Sequence, residues 1–188
     1  PNEWVVSSGG SAEVLVVAGG GAGGGGYGGG GGAGGLLHDS NHSFGSGTYA
    51  VTVGRGGTHE KLGSSGYAYY SNISGENGDN SVFDSFTAIG GGGGRNYFSD
   101  AQDGGSGGGG SKYSYGATPG NGVSGQGHAG GEGGHNAGPT EWGGGGGGAG
   151  STGFGQCGAD CDGRGGIGTD SYTHLTLPTT PYVYLYVA

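Results

Sequence analysis

The sequence has no methionine, two cysteines, five prolines and only five Lys or Arg residues against 14 Asp or Glu. Each shortage closes off a class of protein. A net charge of −9 repels phosphate backbones and anionic lipid surfaces, so neither nucleic-acid binding nor membrane insertion is expected. No apolar run approaches the ~18–20 residues of a bilayer-spanning helix. Two thiols cannot complete a four-ligand zinc site. Charged residues make up 10% of the chain, whereas disordered chains are typically charge-rich. Starting at Pro1 without a methionine, the chain reads as a processed product or a fragment whose leader has been lost.

Glycine is in excess, at 60 of 188 residues. Collagen needs glycine at every third position with proline between, but here it comes in solid blocks. The longest, GGGAGGGGYGGGGGAGG, runs from Gly19 to Gly35, and 14 of its 17 residues are glycine. Further blocks occupy 90–94, 104–110 and 143–150, interrupted mainly by alanine and serine. Such blocks are either flexible coil or polyproline-II-type helices, with three residues per turn, a rise of ~3.1 Å and no internal hydrogen bonds. In the second case every N–H and C=O points outward and needs a partner. Without side chains, neighbouring helices approach closely enough to bond to one another laterally. The first block would then reach ~50 Å if straight. The chain also carries 12 Tyr, 5 Phe and 2 Trp, too many for a linker. These favour a packed bundle, in which lateral bonding offsets an ordering cost of about 1–2 kcal/mol per residue.

Strand signals lie between the blocks. Residues 4–6 and 14–18 read as an N-terminal pair. GTYAVTVG (47–54) alternates, with Tyr49, Val51 and Val53 on one face. SVFDSFTAIG (81–90) reads as a third strand, with Val82, Asp84, Phe86 and Ala88 alternating against Phe83, Ser85, Thr87 and Ile89. YVYLYVA (182–188) reads as a strand by composition. No segment carries a glycine-free 3.6-residue apolar period, so no helix is expected. The predicted fold is all-β, with short strands framing a polyglycine-II helix bundle.

EVLVVAGGGAGGGGYGGGGGAGGL, GTYAVTVGRGG and SVFDSFTAIGGGGG, followed by GGSGGGG and GGGGGGAG, stand in the order seen in the glycine-rich domain of many phage tail and environmental proteins. The chain resembles that family over roughly residues 10–168. The family is similar in character to the glycine-rich ligand-binding domains of certain receptor kinases and to polyglycine-helix tail-tip adhesins. The resemblance implies a rigid extracellular scaffold for attachment or assembly, and it implies no catalytic residues. The end of the chain departs from this pattern. SYTHLTLPT (171–179) resembles the translated read-through of a sequencing-library adapter, the other reading being a natural strand–turn–strand tail. The chain is therefore divided into one domain over 1–170 and a tail over 171–188, and no function is rested on the tail.

Cys157 and Cys161 lack the redox CxxC spacing and are expected to form a small local disulfide. Asp160 and Asp162 resemble the start of a calcium loop, but position twelve is Ser171, not a carboxylate. His128, Glu132 and His135 lack the HExxH spacing, and glycine gives them no rigid support. Asp160, Asp162, His128 and His135 are thus the candidate metal ligands, and a solvated polar surface is the preferred reading; no cofactor is expected. Serines lack a G-x-S-x-G elbow and GRGGTHEK lacks the order of a phosphate loop, so enzyme activity is not expected. Asn41 and Asn72 begin N-x-S sequons suited to glycans in a eukaryotic source.

Aromatics concentrate in the connections between blocks: Tyr67, Tyr69 and Tyr70, Tyr97 and Phe98, Tyr113 and Tyr115. They are candidates for an interface or for rings capping the bundle. The expected function is a secreted, cell-surface or virion structural subunit that self-associates into a fibre, filament or appendage. Residues 1–10, with Trp4, Val5 and Val6, are the candidate strand donated to the next subunit. The rival is a receptor-binding module, gripping a glycan or outer-membrane protein through recognition loops at 36–46, 62–80 and 96–103.

Overall fold

A computed structural model describes residues 2–59, 74–96, 100–112, 118–134, 143–155 and 164–168. Among these the chain is all-β, with two small antiparallel sheets and no α-helix. The strands are β1 (Asn2–Val6), β2 (Gly10–Val17), β3 (Leu36–Phe44), β4 (Gly47–Thr52), β5 (Ser81–Phe83) and β6 (Phe86–Ala88). One sheet has the order β1-β4-β5-β6, and β2 and β3 form the other. The sheets enclose a core of Val14, Val16, Ala18, Phe44, Val51, Phe83 and Ala88. Trp4 packs against Phe44, Tyr49 and Phe83, with ring centroids 4.8, 5.9 and 5.7 Å away.

Three strand expectations need correction. Residues 4–6 do not pair with 14–18; β1 lies against β4, with Trp4 opposite Tyr49, and β2 lies against β3. Residues 81–90 form a hairpin instead of one strand. The chain reverses at Asp84 (φ 49°) and Ser85, so that Phe83 faces Phe86. Aspartate is among the few non-glycine residues that tolerate this left-handed conformation. Residues 36–46, expected to be a recognition loop, are largely strand β3. Residues 182–188 lie outside the described residues.

Past the sheets, the glycine blocks form a hydrogen-bonded solid. The N–H groups of Ala18, Gly21 and Gly24 donate to the carbonyls of Gly35, Gly32 and Gly29, at 3.0, 2.9 and 2.9 Å. Those of Gly29, Gly32 and Gly35 donate in turn to Arg95, Gly92 and Ile89. Both ladders advance by three residues and run antiparallel. Gly30 and Ala33 donate to Gly144 and Gly147, a ladder with the same step but parallel. A step of three is the period of polyglycine II, so each segment turns one donor in three toward each neighbour.

The buried segment 104–111 shows the principle most fully. Successive donors Gly105, Ser106 and Gly107 reach Gly90, Ala33 and His128, on three different segments. Gly108, Gly109 and Gly110 repeat the sequence with Gln102, Gly30 and Gly131. At this spacing the glycine positions leave no room for a side chain, and the segment admits only the small Ser106 and Ser111. A Cβ on Gly107 would fall on the carbonyl oxygen of Gly120, one on Gly29 on that of Gly109, and one on Gly32 on that of Ser106.

Where the array runs out of backbone partners, side-chain oxygens replace them. Asn77 and Asn80, three residues apart, accept from the N–H groups of Gly93 and Gly90, each at 2.8 Å. Asp100 and Asp103, also three apart, accept from Thr118 and Asn121 at 2.8 and 2.6 Å. Gln126 accepts from Ile89 N–H at 2.8 Å and donates to Thr87 O at 3.2 Å, closing the outer edge beside β6.

This packing predicts opposite signs for two glycine substitutions in thermal or denaturant unfolding. Gly107→Ala should lose about 1–3 kcal/mol by overpacking. Gly56 is exposed, and a Cβ there comes no nearer than 3.6 Å to Gly20 O. Gly56→Ala should therefore be neutral or gain about 0.4–1 kcal/mol by restricting the unfolded chain.

Candidate functional site

The glycine segments run up and down between two ends, and the hydrogen bonds show which residues share each end. Near the sheets, Ala18 meets Gly35, Gly35 meets Ile89, Gly105 meets Gly90, and His128 meets Gly148. At the far end, Gly24 meets Gly29, Gly29 meets Arg95, Gly75 meets Gly94, Gly110 meets Gly131, and Phe154 meets Arg164. Tyr27 belongs to this far end: its carbonyl accepts from Lys112 N–H at 3.0 Å, and the Lys112 ammonium sits 3.9 Å from its ring centroid.

The described residues flanking 60–73, 97–99, 113–117, 135–142 and 156–163 all lie toward this far end. These connections therefore start and finish on the side of the array opposite the sheets. By contrast, the short links at 123–126 and 149–151 turn at the sheet end, where Val123 meets Gly104 and Gly150 meets Ile167. The up-and-down course dictates this grouping, because alternate connections of such a chain must share an end.

The predicted site residues divide accordingly. Tyr67, Tyr69, Tyr70, Asn72, Tyr97, Phe98, Tyr113, Tyr115, His135, Cys157, Asp160, Cys161 and Asp162 fall in those far-end connections and lie outside the described residues. Residues 171–188 also lie outside them. Of the expected recognition loops, 36–44 is β3 at the sheet end, while 74–80 and 100–103 are segments of the array. Trp4 and Val6 pack on the core, whereas Val5 is 68% exposed. Residues 2–6 are thus a built-in strand of the chain's own sheet and not a free arm. Asn41 is exposed on β3.

His128 and Glu132 are both exposed on segment 126–134. A separation of four residues is ~12 Å along a polyglycine-II helix and turns them onto different faces, so the two cannot share an ion. Among the described residues, no three His, Cys, Asp or Glu side chains gather around a common point. His128 instead lines an open cleft of about 380 Å³ at the sheet end with Leu36, Ser124, Gln126 and Ala149. No helix among the described residues is long and apolar enough to cross a membrane.

A cluster of His42 with Asp39 and Asp84 joins the two sheets. Across β2, which opposes Ala12 to His42 and Val14 to Asp39, β3 carries an extra residue, so Ser40 and Asn41 share Glu13. Asp39 holds this bulge by accepting from Asn41 N–H at 3.0 Å. His42 reaches Asp39 Oδ2 through Nδ1 at 3.3 Å and Asp84 Oδ2 through Nε2 at 2.9 Å, its ring lying edge-on to Phe44 and Phe86. The two ring nitrogens thus each face a carboxylate oxygen, one from each sheet's side of the seam. Sequence reasoning passed over Asp39, His42 and Asp84. The one available signal was a histidine beside an aspartate and a phenylalanine in HDSNHSF, with a second Asp–Phe segment, FDSF, further along the chain.

A family model for a glycine-rich domain matches residues 2–182. Comparisons with curated proteins and with solved structures gave no match.

The cluster predicts an acid-sensitive fold. The Asn41 N–H holds the Asp39 carboxyl below its ordinary value of 3.8; burial opposes the shift and His42 reinforces it. A carboxyl lowered on folding contributes stability above its ordinary value and loses it as pH falls through the lowered one. Wild-type unfolding midpoints should thus fall as pH drops below about 4, and Asp39→Asn should flatten part of that decline.

Proposed function

This chain belongs to the glycine-rich domain family, and for it we propose a non-catalytic extracellular role as a recognition module, of the adhesin kind displayed on phage tails or cell surfaces. The glycine array is the rigid stalk, the sheets form its base, and the far end carries the ligand-binding connections. The observation that supports this most is that the described residues flanking 60–73, 97–99, 113–117, 135–142 and 156–163 share one end. Those connections contain Tyr67, Tyr69, Tyr70, Tyr97, Tyr113, Tyr115 and Trp142. Tyrosine and tryptophan give large contact area for little lost side-chain entropy, and loops on a rigid scaffold are the usual carriers of binding. A glycan or an outer-membrane protein is the ligand class that suits such rings.

The second reading is a structural subunit that self-associates into a fibre or appendage. It is favoured by β1, which among the described residues is an edge strand of the larger sheet, because an open edge is a ready template for another chain.

The test replaces Tyr67, Tyr69 and Tyr70 together by Ser, and Tyr113 and Tyr115 together by Ser, and measures binding to a glycan array and to outer-membrane vesicles. The recognition reading expects wild-type binding at micromolar levels or better and at least a tenfold loss in each variant, with circular dichroism unchanged; a tenfold loss is about 1.4 kcal/mol. Binding that survives both variants, or no binding by the wild type, would contradict it.

A further inference from the structure

The two edges of the larger sheet are treated differently. Beside β6, the Gln126 side chain occupies the backbone groups of Thr87 and Ile89, so a further strand is blocked. Among the described residues, β4 pairs with one edge of β1 and no strand pairs with the other. β1 carries no inward-pointing charge, bulge or lysine; its one charge is the outward Glu3. Its inward residues Trp4 and Val6 pack on the core, while outward Val5 is 68% exposed and Glu3 is exposed beside it.

We propose that this edge is the docking site for a second copy of the same chain, with β1 pairing antiparallel to β1 of the copy about a two-fold axis through Trp4. This rests on the self-association reading and adds its partner and register. Three constraints select the register: matched faces, no like charges opposite, and the largest number of paired residues. First, like faces must stay together: a slip of one residue would set Trp4 of one copy among the outward residues of the other. Every acceptable axis therefore passes through a residue of β1. Second, like charges directly opposite one another are destabilising. An axis through Glu3 would set the two Glu3 side chains face to face. An axis through Trp4 sets Glu3 opposite the copy's Val5 and, third, lets all five residues of β1 pair. The two Trp4 rings then meet on the inner face, and the sheets join into one. Within the paired strands no charge of one copy faces a like charge of the other, which matters for a chain of net charge −9.

The register makes a signed prediction that a merely sticky valine would not. Val5 faces the copy's Glu3, so Val5→Glu creates two like-charge pairs in each dimer and Val5→Lys creates two opposite-charge pairs. Sedimentation equilibrium of the full chain should show a wild-type dimer. The dissociation constant should rise about tenfold in Val5→Glu and be unchanged or lower in Val5→Lys. Since Val5 is outward, tryptophan fluorescence and thermal midpoints of both variants should match wild type, which separates loss of pairing from loss of folding. A wild type that stays monomeric at all concentrations would overturn both the pairing and self-association. Self-association that both variants leave intact, or weaken equally, would overturn this edge and register while leaving the broader reading in place.

Discussion

The structure depends on hydrogen bonding between glycine backbones that carry no side chains to hold them apart. In a sheet, alternate residues bond sideways and side chains leave above and below. In a three-residue helix the donors leave in three directions, so one segment can bond to neighbours on every side. Segment 104–111 does this with the segments containing Gly90, Gln102, Ala33, His128 and Gly131. Fixing a backbone costs about 1–2 kcal/mol per residue, and a hydrogen bond returns about 0.5–1.5 kcal/mol net. An isolated pair of glycine helices is therefore at best marginal. Close packing in three dimensions adds dispersion contacts, and the aromatic core around Trp4, Phe44 and Phe83 fixes where the first segments leave the sheets.

That constraint explains the unusual composition. A residue with a Cβ is admitted where the array leaves space, as at the exposed Ala33, where it is small, as at the buried Ser106, or where its side chain takes over a lost backbone contact, as at Asn77, Asn80, Asp100 and Asp103. Charge is left to the margins, and the Arg55–Asp79 pair at 3.4 Å is mostly solvated, so it adds little. The far end, beyond the last ladder bonds, is freed from the demand for glycine.

Much of this was legible in the sequence. Alternation in GTYAVTVG marked β4, and the apolar run EVLVV marked β2, because both present one clean face to the core. The glycine blocks announced a bundle by their length and by the apolar segments between them. β3 was hidden because its bulge at Ser40 and Asn41 breaks the two-residue period: Leu37 lies before the break, while His42 and Phe44 follow it out of phase. Its Asp, Ser and Asn also carry turn propensity. The hairpin at Asp84 was hidden because FDSF keeps an alternating pattern through a left-handed residue. The spacing N-x-x-N at 77–80 and D-x-x-D at 100–103 is a readable sign of the three-residue period, but it acquires meaning only once the neighbouring helix is in place. The common end of the long connections follows from topology, which composition does not convey.

The central claim, that the glycine blocks are a bonded solid, is tested most directly by native-state hydrogen exchange resolved at individual glycine amides. The account predicts that Gly92, Gly105, Gly107, Gly109 and Gly147, all donors in the array, exchange as slowly as the strand amides of β2 and β4, and that their protection is lost together with the core. Exchange of these amides at the rate of an unstructured peptide, while the strands remain protected, would contradict it.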